Sequence, residues 1–482
     1  MATMSIGRAI GWLAERAPDR PAITDEHGSV TWTELDRRTN RLARAYEQSG
    51  VGEDTMVTVA LPNGIEFYEA CIAAWKLGAI PQPVSARLPV AERDAIVELA
   101  DPALVVGVDP GTYGLRPAVP AGWEPPGELT DDPLPDRVAS AWKAPTSGGS
   151  TGRPKIIVAG QPATVDPEQP GSRGMKRGGC QLVPGPLYHN GPFTFSMRGL
   201  LTGSHLVVMS RFDAERALQL IERHGVDWVL LVPTMMHRIW RLPEDVRDRY
   251  DLSSLEGILH LGAPCPEWLK EAWIHWIGPE RVHELYAGTE AQGVTWITGD
   301  EWLEHRGSVG RAIGSKMRVL GPDGEDLPPG EVGEVFMMPD AGPGTTYRYI
   351  GAEPRSLDGW ESLGDMGYVD EDGYLYLTDR RTDMIVAGGA NIYPAEVEAA
   401  LDSHPAVRSS AVIGLPDDDL GQAVHAIVQT DGSVTEEELR THVAARLVRY
   451  KVPRTIELVD EPLRDDAGKV RRSALREARI RR

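Results

Sequence analysis

Thr146-Ser147-Gly148-Gly149-Ser150-Thr151-Gly152-Arg153-Pro154-Lys155 is the stretch on which the reading of the whole chain turns. Three glycines among hydroxyl residues carry a conformational entropy cost that an idle segment has no reason to bear. Glycine lets backbone N–H groups approach an anion, Ser and Thr add donors, and Lys155 adds positive charge. The run suits the phosphates of a nucleotide. It is not a Walker loop, because no Gly-Lys-Ser/Thr closes it at the required spacing, and it is not a dinucleotide fingerprint. Taken alone, a flexible linker is its rival.

Working outward, five further strings follow: Tyr286-Ala287-Gly288-Thr289-Glu290, Leu363-Gly364-Asp365, Asp379-Arg380-Arg381-Thr382-Asp383, Gly388-Gly389-Ala390-Asn391-Ile392-Tyr393-Pro394, and Gly468-Lys469. In this order, over nearly the whole chain, they resemble the adenylate-forming enzymes (acyl-CoA synthetases, peptide-synthetase adenylation domains and luciferases). The resemblance implies an α/β fold with a large N-terminal domain over residues 1–381. That domain would hold doubly wound sheets plus a small β-barrel-like part. A small, mobile α+β C-terminal domain would span 382–482, hinged at Arg381 to Asp383.

The implied chemistry is ATP-dependent activation of a carboxylic acid to an acyl adenylate, followed by transfer to coenzyme A. Attack of a carboxylate on the α-phosphorus brings two anions together, so positive charge must be supplied in line. By the resemblance, Ser147, Gly148, Gly149, Ser150, Thr151, Gly152 and Lys155 hold the β- and γ-phosphates. Glu290 anchors Mg2+, a role suited to one carboxylate beside phosphate oxygens, and Thr289 donates to the α-phosphate. Asp365 accepts both ribose hydroxyls, with Arg380 assisting. Tyr286, next to Ala287 and Gly288, offers a face for adenine opposite Gly262-Ala263-Pro264. Lys469 contacts the attacking carboxylate and the α-phosphate. A domain rotation then removes it and brings Gly388 and Gly389 to the pantetheine of coenzyme A. Taken singly, Tyr286 reads as core and Asp365 as a turn residue.

The sequence departs from the family pattern at Thr382, where lysine or aspartate is usual, at Leu363 in place of Thr, and at Gly148-Gly149 in place of Ser-Gly. With Leu187-Tyr188-His189-Asn190-Gly191-Pro192-Phe193, these departures look most like a bile-acid or fatty-acid CoA ligase-like branch, which implies a bulky apolar acid. His189, Pro192, Phe193, Thr234, Met235 and Met236 are candidate pocket residues, with core packing the equal alternative for the methionines. The acceptor stays open between coenzyme A and a carrier protein, partner enzyme or nitrogen nucleophile. A different class, a non-catalytic nucleotide-binding scaffold, is disfavoured by Lys155, Thr289, Glu290 and Lys469 being present together.

Composition agrees with this reading. A chain of 482 residues exceeds one hydrophobic core, so two or more domains are expected. A formal charge of −21 argues against nucleic acid and anionic membrane as general partners, but not against a local nucleotide site. Cys71, Cys180 and Cys265 have neither disulfide-framework nor metal-site spacing and read as reduced thiols of a cytoplasmic protein. No transmembrane segment or signal peptide is visible, so no stable membrane insertion is expected. A homodimer is left open.

Periodicity places the motifs. Thr31-Trp32-Thr33-Glu34 fits a capping box opening a helix with Leu35, Leu42, Ala43 and Tyr46 on its apolar side, with Thr33 an alternative cap. A strand at Met56 to Leu61, a helix at Ile65 to Leu77 and a strand at Ile80 to Val84 form a βαβ unit. Strands at His205 to Met209, Val226 to Val232, Gly257 to Leu261 and Val282 to Leu285 alternate with helices at Asp213 to His224 and near Glu267 to Trp273. Such alternation predicts parallel sheets covered on both faces, with ligands beyond the carboxyl ends of the strands. Beyond Gly307 short β segments and turns are expected, Asp370-Glu371-Asp372-Gly373 being a hairpin turn and not a calcium loop. The last segment reads as helix near Ala395 to Leu401, strands near Val407 to Ile413 and Ala423 to Val428, and helix near Thr435 to Leu447. The Pro/Gly/Ser-rich stretch Gln161 to Gly179 reads as a surface loop beside the phosphate site.

Overall fold

The alternating pattern builds two parallel sheets in the computed structural model, which describes residues 3–148, 154–380, 383–387, 390–417, 420–465 and 468–481. The smaller sheet orders Ile80–Pro83, Met56–Val59, Leu104–Val106 and Ala118–Val119, all parallel. The larger has nine strands. Six neighbours in its middle run parallel, in the order Val282–Ala287, Gly257–His260, Trp228–Leu231, Cys180–Val183, His205–Val208 and Pro21–Thr24. Antiparallel strands close its edges. Every residue of Met56–Val59, Trp228–Leu231 and Gly257–His260 is buried, as helices on both faces require.

Local sequence decides where the covering helices begin. Thr31 caps the Trp32–Gln48 helix: its Oγ1 accepts from the Glu34 N–H at 3.2 Å, and Glu34 returns a bond to the Thr31 N–H at 2.7 Å. Leu35, Leu42, Ala43 and Tyr46 are buried against the sheet. The capping box over Thr31 is therefore the right one of the two alternatives. Pro233 opens the short Pro233–Trp240 helix at its first turn, where the missing N–H costs nothing.

Past Gly307 the texture turns antiparallel. A six-stranded sheet links Ser315–Leu320, Gly333–Pro339, Asp365–Val369 and Leu375–Arg380 with two short strands. Asp370 closes the expected hairpin by accepting from the N–H groups of Asp372 and Tyr374 at 3.0 and 2.8 Å. A separate three-stranded sheet pairs Pro154–Ala159 with both Thr146–Gly148 and Tyr347–Ile350. It carries the flanks of the phosphate-loop motif.

The small C-terminal part has its own core of Ile385, Val397, Leu401, Val412, Val424, Leu439 and Ile456. Val407–Asp417 and Gly421–Thr430 are antiparallel, Thr455–Val459 adds in parallel, and the helices Pro394–Asp402, Glu436–Ala444 and Arg472–Ile480 surround them. The Glu436–Ala444 helix stops three residues before the expected Leu447. The α/β class, with a large N-terminal and a small C-terminal domain, is as the motifs imply.

One placement is corrected. The stretch Gln161 to Gly179 does not lie beside the phosphate site. Gly174 packs against His283 and Gly257, and Gly179 against Asp227. Those residues stand at or just before the amino ends of their strands, so the stretch crosses the opposite end of the sheet. Its short Thr164–Val165 strand pairs with Met4–Ser5.

Candidate active site

The carboxyl ends of the parallel strands supply the site. Ala287 ends its strand and Gly288 to Ala291 turn sharply, the Ala291 N–H donating to the Gly288 carbonyl at 3.2 Å. Ala291 sits in the left-handed region at φ +52°, uncommon for a residue with a Cβ. This turn buries Glu290, 5% exposed. Its Oε1 accepts from Lys155 Nζ at 3.1 Å and from the Tyr349 hydroxyl at 2.6 Å. Lys155 Nζ also donates to the Tyr349 oxygen at 2.8 Å and lies 4.2 Å from the centre of that ring. Burial, and then Glu290, push the Tyr349 hydroxyl well above its usual range, so it stays a proton donor.

Glu290 Oε2 lies 2.9 Å from where a Cβ on Gly288 would stand. Leu363 Cδ1 stands closer still, so a side chain here would crowd both Leu363 and the carboxylate. Lys155 opens the strand Pro154–Ala159, and Tyr349 lies on the neighbouring Tyr347–Ile350 strand, so backbone pairing brings a cation and a phenol to one carboxylate. Among the described residues no group of three His, Cys, Asp or Glu could hold a metal. The buried Glu290 carboxylate is the kind of hard oxygen ligand that would suit a magnesium ion beside phosphates.

Asp365 is buried and accepts from the Tyr286 hydroxyl at 2.5 Å. Strand register sets Arg380 directly opposite Asp365. The three residues assigned to ribose and adenine are thus neighbours. Gly262, at φ +90°, begins the exposed turn through Ala263 and Pro264 and stands beside Val232. Thr289 is half-buried within the turn before Glu290.

Gly468 is buried on the same edge. A Cβ there would lie 2.7 Å from Thr234 Oγ1 and 3.6 Å from Val232 Cγ2. Its φ of +76° also demands glycine. Lys469, exposed, follows it directly in the chain. The loop is closed by the Asp465 N–H donating to the Lys469 carbonyl at 3.0 Å, and by the Lys469 N–H donating to Asp465 Oδ1 at 2.9 Å. Arg464 donates to the Gly468 carbonyl at 3.2 Å and to Glu398 at 3.2 Å, and Arg472 joins Glu398 to Asp383.

Several assignments lie outside the described residues: Gly149, Ser150, Thr151 and Gly152, the hinge residues Arg381 and Thr382, and Gly388 and Gly389. For Ser147 and Gly148 the structure gives only their strand, paired with Lys155 and Pro154.

The pocket assignments divide. Phe193 is a correction: it is fully buried, with ring contacts to Phe67, Trp75 and Trp142, and belongs to the core. Met235 and Met236 are buried in the core cluster around the Pro233–Trp240 helix. Pro192 is buried against Gly185, and the Met235 methyl lies nearby. His189 is half-buried at the start of the Asn190–Leu201 helix, 4.4 Å from the Tyr188 ring centre, and Thr234 is half-buried under Gly468. Tyr349 was missed by sequence reasoning. Its one signal was alternation in Tyr347-Arg348-Tyr349, which carries no hint of its partner Lys155, 194 positions away.

Tyr286 and Glu290 at the carboxyl end of a parallel strand, with Lys155, Tyr349 and Asp365 brought to them from neighbouring sheets, form a polar cluster where open α/β sheets bind ligands. Residues 11–349 match the family described as AMP-binding enzyme, and residues 396–469 match its C-terminal domain. A 2-succinylbenzoate–CoA ligase of Bacillus cereus is 30% identical over 97% of this chain and 98% of its own. The o-succinylbenzoate CoA synthetase of Bacillus subtilis, solved with its acyl-adenylate intermediate, superposes with TM-score 0.82 at 25% identity, covering 98% of each chain. An amide bond synthetase from Marinactinospora thermotolerans gives 0.79 at 26% identity, over 98% of this chain and 99% of its own.

The chain belongs to the AMP-binding enzyme family. Within it, the chain is an adenylate-forming ligase of the acyl-CoA synthetase class, with ATP, magnesium and coenzyme A as its cofactors.

Proposed function

We propose that this enzyme activates a bulky carboxylic acid on an apolar or aromatic frame as its adenylate and passes the acyl group to coenzyme A. The observation that carries the proposal is the meeting of Lys155, Glu290 and Tyr349 on one side of the strand ends with the Gly468-Lys469 loop on the other. The relatives named for 2-succinylbenzoate support an aromatic frame for the acid.

Lys155 places its ammonium beside the leaving phosphates, and the Tyr349 hydroxyl, donating to Oε1, holds the Glu290 carboxylate in position. Magnesium on Glu290 would offset charge on the phosphate oxygens. Asp365 accepts from the ribose hydroxyls, and Tyr286, held by Asp365, presents its ring to adenine. Lys469 bridges carboxylate and α-phosphate, where one ammonium opposes both negative charges. Its exposure allows it to withdraw afterwards, with residues 1–381 and 382–482 as the two bodies that rotate. The thiol of coenzyme A then displaces AMP. Use of ATP and coenzyme A supports a reaction in the cytoplasm; no helix of the described residues is long and apolar enough to cross a membrane.

The amide bond synthetase supports a second reading, in which a nitrogen nucleophile takes the acyl group. Exchange of labelled pyrophosphate into ATP over a panel of acids, followed by addition of coenzyme A or amines, separates the two. Acid-dependent exchange with thioester on adding coenzyme A is expected. Exchange with amide as the sole product would favour the second reading, and absence of exchange with every acid would defeat both.

A further inference from the structure

The Pro233–Trp240 helix touches the small domain at both ends. At its start, Thr234 lies under Gly468. Just past its end, Arg241 donates from Nη1 to the Pro405 carbonyl at 2.7 Å and from Nη2 to the His404 carbonyl at 3.1 Å. Those carbonyls sit in the turn between the Pro394–Asp402 helix and the Val407–Asp417 strand of the small domain. A helix of this length spans about 12 Å. Two contacts at that separation resist rotation in a way that one contact does not.

The guanidinium is itself held. Arg241 Nε donates to His237 Nε2 at 3.0 Å, one turn back on the same helix. That nitrogen must be an acceptor, hence unprotonated, and burial together with Arg241, Arg238 and Arg464 depresses the His237 pKa to about 4. Asp402 and Asp431 of the small domain oppose the Arg241 charge, while Arg408 adds to it. Across the two parts Arg471 also meets Glu92 at 3.7 Å, an exposed pair that contributes little.

We infer that Arg241 is a positioning residue that fastens the small domain in the arrangement that delivers Lys469 to the strand ends. The inference rests on the role proposed for Lys469. Arg241 touches no reacting group. Its two bonds to carbonyls exist only while Gly468 is seated on Thr234, and both must break before the small domain can turn. Arginine suits this task because its planar fork reaches two carbonyls at once, whereas lysine offers a point charge.

The test uses the full chain, with Arg241→Ala and Arg241→Lys, once thermal melting has established a native fold for each. Small-angle X-ray scattering without ligands reads the domain arrangement directly. The wild type should match the arrangement described, and Arg241→Ala should scatter as a broader distribution. Acid-dependent pyrophosphate exchange, with the acid giving the highest wild-type rate, should fall about tenfold in kcat with little change in KM for ATP. Thioester formation from supplied acyl adenylate and coenzyme A should be unchanged or faster, and Arg241→Lys should recover part of the exchange. An unchanged scattering curve would overturn the inference, as would an equal fall in both half-reactions. A wild type without exchange would instead count against the proposed function, and scattering would still decide the role of Arg241.

Discussion

At the scale of single residues, Glu290 carries the greatest demand. It is buried, and its Oε1 is shared by Lys155 and Tyr349. Glu290→Gln should cripple turnover at ordinary magnesium and recover partly as magnesium is raised, since a neutral amide is a poor ligand for a hard cation. Unchanged magnesium dependence in steady-state rates would remove Glu290 from the metal site. Tyr349→Phe keeps the ring over Lys155 but deletes a donor to a buried carboxylate, a bond worth about 1.5–3 kcal/mol. It should lower stability to chemical denaturation by about that amount and weaken exchange as well. A variant as stable as wild type would mean that the Tyr349 hydroxyl does not support Glu290.

At the scale of elements, the alternation of strands and helices and the motif positions were legible because strands buried on both faces read as continuous apolar runs, and glycine-bearing turns mark their carboxyl ends; the order of strands in the sheets was not. The Thr31 capping box was legible because its chemistry is local. Contacts made by long-range pairing were not. Tyr349 meets Lys155 only because two distant strands pair, and Arg241 meets His404 only because two domains dock. Phe193 misled for the same reason: the residues that bury it, Phe67, Trp75 and Trp142, lie on other elements. The placement of the loop Gln161 to Gly179 failed because nearness in sequence to the phosphate motif said nothing about which end of the sheet it crosses.

The Gly468 turn gives a prediction at this scale. A Cβ at 2.7 Å from Thr234 Oγ1, on a backbone with φ +76°, forces the loop off the Pro233–Trp240 helix. Gly468→Ala should therefore depress adenylate formation by at least tenfold. Adding Thr234→Ala relieves the crowding but not the backbone strain, so it should restore part of the rate. Loss of rate with no restoration would assign the whole effect to backbone strain.

For the whole molecule, buried histidines set the response to pH. Burial depresses His205, His237 and His260 to about 4 from an ordinary 6.5, and pushes His224, His283, His425 and His442 down as well. As pH falls below 6.5 the unfolded chain binds protons that the folded chain refuses, so their contribution is present above 6.5 and lost toward 4. Asp402, raised to about 6, and Glu69, raised to about 7, act in the opposite sense, because the folded state keeps their protons. The histidines outnumber them. The thermal midpoint should be lower at about pH 5 than at about pH 7.5, and an equal or higher midpoint at the lower pH would contradict this balance.

Two bodies with separate cores meet through the Gly468 and Arg241 contacts, and the chemistry proposed for them needs Lys469 in one half-reaction only. Measuring both half-reactions in Lys469→Ala tests that most directly. Pyrophosphate exchange should fall by about 10²–10³-fold, the scale of losing one charge-stabilising donor. Thioester formation from supplied acyl adenylate and coenzyme A should stay near the wild-type rate. Equal losses in the two half-reactions, in a protein that melts like wild type, would contradict the role of Lys469 and the two-step use of this fold.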